Sequence, residues 1–215
     1  METKWRELPK PSLSGNMSIE EVLASRRTVR NFAERYIELK TVSQLLWALQ
    51  GITQKGNAER EEDSFRTAPS AGRSYPLVVY LLYGDLWIYQ PEEHALTLHK
   101  REDLRKTLAE AVLTRMNREA IEGAPLTVVV ASDNKSIVEL TPRVEDALCF
   151  TYLEAGHATQ NLILQAWALG LGACTITSYK TAKAQRLLTL PLHHRPIYLI
   201  PLGIPNNHTS VSNGL

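Results

Sequence analysis

The stretch YLEAGHATQNLILQAWALGLGACTITSY occupies residues 152–179. With Leu148 upstream, apolar side chains at Tyr152, Ala155, Leu162, Ala166 and Leu169 recur at helical spacing, so one long helix is expected over about 143–169. Gly170-Leu-Gly172 ends it, and Cys174–Thr177 has the composition of a strand. Taken alone, the Gly-Leu-Gly turn is a helix C-cap. A strand terminus is also a rigid place from which backbone N–H groups can reach a ring nitrogen.

Working upstream, Leu126–Ala131 is a β-branched run that reads as a buried strand. Residues 102–116 carry Leu104, Leu108, Ala111 and Val112 at helical spacing. Leu77–Tyr83, Leu86–Tyr89 and Ala95–His99 form three short strands, the first two separated by Gly84-Asp85, and so an antiparallel meander. Val42, Leu45, Leu46 and Leu49 place a helix over 39–49 that stops at Gly51. Ser18-Ile-Glu-Glu21 is a capping box for a short helix reaching about Arg26. Pro9, Pro11 and Gly15 make 1–17 an irregular arm, and the polar segment 53–66 a mobile loop. Downstream, a short helix at 181–188 and a strand at 197–202 complete an α+β chain: a mixed, mostly antiparallel sheet flanked by helices. The organisation expected is an arm (1–17), one domain (18–205) and a tail (206–215).

Among 215 residues, 24 Lys and Arg face 23 Asp and Glu, a net charge of +1. That balance is unsuited to a polyanion or an anionic lipid surface, so neither nucleic acid nor membrane is expected as a partner. The apolar runs are too short to span a bilayer. The opening METKWRELPKPSL has no apolar core of the kind a secretory leader needs. A cytoplasmic location is the expectation. Cys149 and Cys174 lie in apolar stretches with no Cys-x-x-Cys pattern, and both read as buried, reduced thiols.

Three segments could carry chemistry. Arg26-Arg27-Thr28-Val29-Arg30 sets three guanidiniums and a hydroxyl where the first helix gives out. It suits a phosphate bidentately, or equally a solvated basic helix end. Pro69-Ser70-Ala71-Gly72-Arg73-Ser74 is rich in chain breakers; its glycine permits close backbone approach to a flat ligand, and Arg73 and Ser74 can offer donors. Ile176-Thr177-Ser178 closes the third segment. Together they suit a ligand with a phosphate at one end and an aromatic imide at the other. His193-His194 read as a solvated loop pair with no carboxylate at metal-ligand spacing, and His157 as a packed helix residue. Nucleophile-elbow and phosphate-loop motifs are absent from the sequence, so hydrolase and nucleotidase chemistry lack their residues.

Taken in series, these segments resemble the FMN-dependent nitroreductase family across about residues 17–205. SIEEVLASRRTVRNF is similar to its first helix and Arg-Arg-Ser-x-Arg signature, with Thr28 for the serine. RTAPSAGRSYPLVVYLL resembles its Pro-Ser-Ala flavin loop, and residues 152–179 its central helix and the strand behind the flavin. TAPSAGxxYPL and LEAGHAxQN are closer still to the thiazole/oxazole-dehydrogenase branch. The resemblance implies FMN as cofactor and NAD(P)H as electron donor. The reaction it implies is a ping-pong cycle delivering hydride to a small acceptor such as a nitroaromatic or quinone. Alternatives are an azoline-ring dehydrogenase in peptide modification, or a flavin-binding partner protein with little turnover.

By the same resemblance, Arg26, Arg27, Thr28 and Arg30 contact the phosphate and ribityl chain. Pro69, Ser70, Ala71, Gly72, Arg73 and Ser74 line the flavin, with Arg73 and Ser74 near its pyrimidine edge. Ile176, Thr177 and Ser178 offer backbone amides toward N5, and no side chain acts as catalyst. A homodimer is implied, with Ala155, Gly156 and Ala158 letting two central helices approach. The sequence departs from the family in having neither Lys nor Arg in 204–215, with His208 the single replacement, and in placing Arg73 where an amide or small residue is common. A cation there would stabilise anionic reduced flavin.

Overall fold

Leu77–Tyr83 (β4) and Leu126–Asp133 (β7) are buried along almost their whole length and pair antiparallel in the middle of a seven-stranded sheet. The computed structural model describes residues 5–56, 64–136 and 143–206. The remaining strands of that sheet are Trp5–Glu7 (β1), Asp85–Gln90 (β5), Ala95–Lys100 (β6), Gly172–Ala173 (β8) and His194–Gly203 (β9), in the order β1-β6-β5-β4-β7-β9-β8. All its strand pairings are antiparallel. The β4–β5–β6 meander is thus present, its first turn made by Gly84 at φ +71°.

Both sheet faces are covered, which is why β4 and β7 show no polar alternation. Val79, Leu81 and Tyr83 of β4, with Val128 and Val130 of β7, pack against helix α2 (Leu39–Gln50) and the central helix α5 (Val144–Ala168). Tyr80, Leu82, Val129 and Ala131 point the other way. They meet residues on and beside α3 (Arg105–Ala109), α4 (Arg115–Gly123) and α6 (Thr181–Leu187). Helix α1 (Ile19–Ser25) lies near the start of the chain.

Several expectations are corrected. Residues 1–17 are not all irregular: Trp5, Arg6 and Glu7 pair with Thr97, Leu96 and Ala95 of β6, a long-range ladder that three residues cannot advertise. The polar segment 53–66 begins and ends in a small antiparallel pair, Ile52–Gln54 (β2) with Phe65–Arg66 (β3); its residues 57–63 lie outside the described part. The helix expected over 102–116 is broken, because residues 111–113 turn to bond 178–180: Leu113 N–H donates to Ser178 O at 3.0 Å and Lys180 N–H to Ala111 O at 2.9 Å. Tertiary pairing overrides helical spacing there. Only Gly172–Ala173 form a strand in the third segment; within 174–177, Ile176 makes a lone bridge to Leu199.

Helix α5 buries Ala147, Thr151, Glu154, Ala155, Ala158, Leu162 and Ala166 on one side. Ala155 and Ala158 therefore serve this chain's own core, and of the three small residues named above only Gly156 faces open space. The other side exposes Phe150, Tyr152 and Leu153. Cys149 and His157 also lie on it and are exposed rather than packed, whereas Cys174 is buried as expected.

Candidate functional site

Helix α1 starts on its capping box: Glu21 N–H donates to Ser18 Oγ at 3.2 Å, and Ser18 N–H to Glu21 Oε2 at 2.7 Å. It ends where Arg26 turns extended (φ −53°, ψ 132°), and Trp167 Nε1 of α5 pins Ser25 Oγ at 2.8 Å. The chain then runs parallel to β8. Thr28 bridges Ala173, and Val29 N–H donates to Ala173 O at 3.0 Å. A Cβ on Gly172 would stand 2.4 Å from Val29 Cβ, so that glycine is what lets the arginine segment lie against the third segment. Residues 204–206 close the other flank, with Ala33 N–H bonded to Ile204 O and Asn206 N–H to Asn31 O. His208 lies outside the described residues.

Among the described residues, Arg26, Arg27 and Arg30 have no carboxylate within ion-pair reach. Arg27 Nη1 folds back onto the Ala24 and Arg26 carbonyls at 3.1 and 2.9 Å, capping α1. Arg30 Nε donates to Asn117 Oδ1 at 3.2 Å, and Asn117 Nδ2 to Ser178 Oγ at 3.2 Å. Arg30 also faces Cys174, whose thiol is pushed up by burial and drawn back by that guanidinium. The first and third segments therefore meet, with α4 clasping both. Asn117 has no local signal in the sequence.

In the third segment Ile176 N–H is committed to Leu199 O at 2.9 Å. The Thr177 and Ser178 N–H groups have no acceptor among the described residues. Of the three residues, these two keep amides able to bond a ligand.

The Pro69–Ser74 loop is knit internally. A single 3₁₀ turn, Ala71–Arg73, places Gly72 at φ +59° and Arg73 at φ +58°, and Tyr75 follows at +43°. Positive φ on two non-glycine residues is stored strain, held by its surroundings. Tyr75 N–H donates to Ser70 Oγ at 2.9 Å and Ser74 Oγ donates to Ala71 O at 3.0 Å, so the Ser74 hydroxyl proton is engaged inside the loop. Arg73 lies over the Phe65 ring at 5.8 Å.

Beneath this loop sits Glu154 of α5, 2% exposed. Burial raises its pKa, opposed by hydrogen bonds from Ser70 and Gln50 and by the Arg66 charge. Gln50 Nε2 donates to Glu154 Oε1 at 3.2 Å, and Arg66 Nη1 to Gln50 Oε1 at 3.0 Å. A carboxylate on the apolar stripe of the long helix was the signal that could have marked it.

The loop does not join the other two segments within one chain. Ser25 contacts α5 at Trp167, Thr67 at Asn161 (Asn161 Nδ2 to Thr67 O, 3.0 Å), and Ser70 at Glu154. From Glu154 to Trp167 the helix rises about 20 Å. A cavity of about 610 Å³ opens between residues 12–19, α2 and α5, lined by Gln44, Trp47, Thr67, Asn161 and Gln165 among others, but by none of the candidate residues. Lys40 is its one charged wall residue among the described residues. The arginine edge has the stronger claim to a phosphate, because it carries three guanidiniums that have no acidic partner among the described residues.

A family model described as the nitroreductase family matches residues 23–204. A protein of Methanocaldococcus jannaschii with a provisional nitroreductase name is 31% identical over 196 residues, covering 87% of this chain and 91% of its own. One from Methanothermobacter thermautotrophicus, provisionally named NADH dehydrogenase/NAD(P)H nitroreductase, is 25% identical over 193 residues, covering 88% and 78%. A crystal structure from Ralstonia eutropha JMP134, described provisionally as a nitroreductase, superposes with a TM-score of 0.82 at 26% identity, covering 95% of this chain and 90% of that one. No helix among the described residues is long and apolar enough to cross a membrane.

Proposed function

The chain belongs to the nitroreductase family of oxidoreductases, and from that premise we propose that it binds FMN and carries reducing equivalents from NAD(P)H to a small acceptor in a ping-pong cycle. One observation carries this reading: among the described residues, three guanidiniums have no acidic partner, and they lie along β8 beside Thr177 and Ser178 amides that meet no acceptor there. A phosphomonoester meets their charge, and a ring acceptor meets the two N–H groups, so the donors present fit the cofactor at both its ends.

FMN, when bound, supplies the centre that accepts and releases hydride. The chain's own residues hold and orient. Arg26, Arg27 and Arg30 neutralise the phosphate, and the exposed Thr28 hydroxyl adds a neutral donor. Asn117 keeps Arg30 and Ser178 in one network, so the phosphate end and the ring end are positioned by the same helix, α4. No side chain need exchange a proton with the acceptor for this cycle.

The same reading makes the active species a homodimer. Pro69–Ser74 sits about 20 Å along α5 from Ser25, so this loop serves the flavin of a second copy rather than its own. The exposed apolar side chains of Phe150, Tyr152 and Leu153 on α5 mark the surface a second copy would cover.

The test is the visible spectrum of the purified protein, identification of any released chromophore, and anaerobic mixing with NADH and NADPH. We expect a yellow protein whose flavin bleaches with a nicotinamide and recovers with a quinone or nitroaromatic. The triple variant Arg26→Ala/Arg27→Ala/Arg30→Ala should lose the flavin. A protein that stays colourless after incubation with FMN ends the proposal, and a bound flavin that no nicotinamide reduces leaves a binding protein instead.

A further inference from the structure

At the far end of the sheet from β8 lies a second cluster. Asp133 ends β7 and His194 begins β9, and the two are register partners across the antiparallel ladder. Directly opposed residues present their side chains on the same face. His193 precedes them, its carbonyl fixed by Asn134 N–H at 2.9 Å, and its ring stands edge-on to His194 with centroids 4.5 Å apart. From this pair to Leu126↔Leu202, the register next to Ala173, the ladder runs seven residues, about 24 Å. The cluster is therefore separate from the arginine edge.

The geometry points to a divalent transition-metal site of the zinc class formed by Asp133, His193 and His194. One ligand atom from each lies within 4.8 Å of the others, and Asp133 Oδ2 is 4.0 Å from His194 Nε2. That distance is too long for a hydrogen bond. Two ligands sharing a tetrahedral ion with bonds of about 2.0–2.2 Å stand about 3.4 Å apart, so the closure required is roughly 0.6 Å for this pair and at most about 1.4 Å for the widest. Small side-chain rotations at these strand ends, where the three residues are partly buried, supply it.

The surrounding contacts are those a metal ligand set uses. Tyr80 Oη, on a wholly buried tyrosine, lies 2.5 Å from His194 Nδ1, orienting the ring and turning Nε2 toward Asp133. Ligation through Nε2 requires Nδ1 to carry the hydrogen and donate it to Tyr80 Oη. Asp133 Oδ1 accepts Lys135 N–H at 2.9 Å and Oδ2 accepts Ser136 Oγ at 3.2 Å, which fixes the carboxylate while leaving lone pairs on both oxygens. A histidine held through its second nitrogen and a carboxylate held by the following turn are outer-shell supports in the usual sense. Lys135 is the adverse charge, but its side chain is exposed to water. The three ligands are only partly buried, so an ion and a completing water can reach them.

The test uses untagged full-length protein, stripped with chelator and titrated with Zn²⁺ against a chromogenic zinc indicator. One equivalent per chain is expected. Asp133→Asn and His194→Gln should each weaken binding by about tenfold or more, and Tyr80→Phe by about tenfold. Cys149→Ser, which removes the exposed thiol, should leave the titration unchanged. Zn²⁺ should raise the melting temperature of the wild type but not of Asp133→Asn, whose Oδ1 still accepts Lys135 N–H and whose amide N–H can donate to Ser136 Oγ, and this decides the matter even if His194→Gln fails to fold. Wild type that does not compete with the indicator, Asp133→Asn that binds as wild type does, or loss of binding in Cys149→Ser would each overturn the assignment.

Discussion

Replacing Gly172 by alanine tests the contact that joins the arginine segment to the sheet. Its φ lies outside the left-handed region, so on backbone grounds alone the change would stabilise by about 0.5–1 kcal/mol. The added Cβ, however, would meet Val29 Cβ at 2.4 Å, Cγ2 at 2.5 Å and Cγ1 at 2.8 Å. Normal carbon contact is about 3.5 Å or more, so Val29 must retreat by roughly 1 Å. That retreat stretches the 3.0 Å bond from Val29 N–H to Ala173 O beyond use, at about 1 kcal/mol, and adds an overpacking cost of about 1–3 kcal/mol. After the backbone gain the net loss is about 2 kcal/mol, or a fall in Tm of roughly 4–8 °C for a domain of this size. Equilibrium urea unfolding followed by two probes would measure it, with an unchanged m-value expected. Because the nearest clashing atom is Val29 Cβ, Val29→Gly should couple to Gly172→Ala far more strongly than Val29→Ala does in double-mutant cycles. A loss under about 0.5 kcal/mol, or equal coupling for both partners, would refute this account of why position 172 is glycine.

Three further outcomes follow from the same geometry. Glu154 has a folded-state pKa raised above 4.5 by burial, so the native state holds its proton more tightly than the unfolded chain. Stability contributed by this group is present at low pH and is lost as pH rises from about 4.5 through the raised value. Glu154→Gln should flatten that slope in pH-dependent unfolding, and an unaltered slope contradicts it. Leu153→Glu puts a charge on the exposed face of α5 and should shift the protein to a flavin-poor monomer by light scattering; a yellow dimer would argue against that face. Arg73→Ala should lower the flavin midpoint potential, as expected for removing a cation that favours the reduced anion, and an identical potential refutes it.

Local signals were legible wherever neighbours in sequence are partners in space. The Ser18–Glu21 box, the repeat of apolar residues along α5 and the Gly84 turn all read correctly because each is closed within a few residues. What escaped was set by distant pairing. Trp5–Glu7 is a strand only because β6 lies beside it. Residues 111–113 leave the helix only because 178–180 accept them. The candidate site shows the same division. The arginines and the Gly-Leu-Gly turn were visible as separate motifs, but that Gly172 exists to admit Val29 required both to be seen together. Asn117 and Asp133 became visible only through partners far along the chain. Glu154 was readable, since an acid on a buried stripe demands partners.

The first thirty residues supply the outermost contacts on both sides of the large sheet: Trp5–Glu7 pairs with β6, and Thr28 bridges β8. During synthesis those residues leave the ribosome before their partners, and Thr28 cannot find Ala173 until some 145 further residues have been made. Until then the outer rims of the nascent sheet stand open to pairing with other chains. A fusion or truncation at the amino end therefore acts on assembly quality, in soluble yield and aggregation, before it acts on any property of the finished protein.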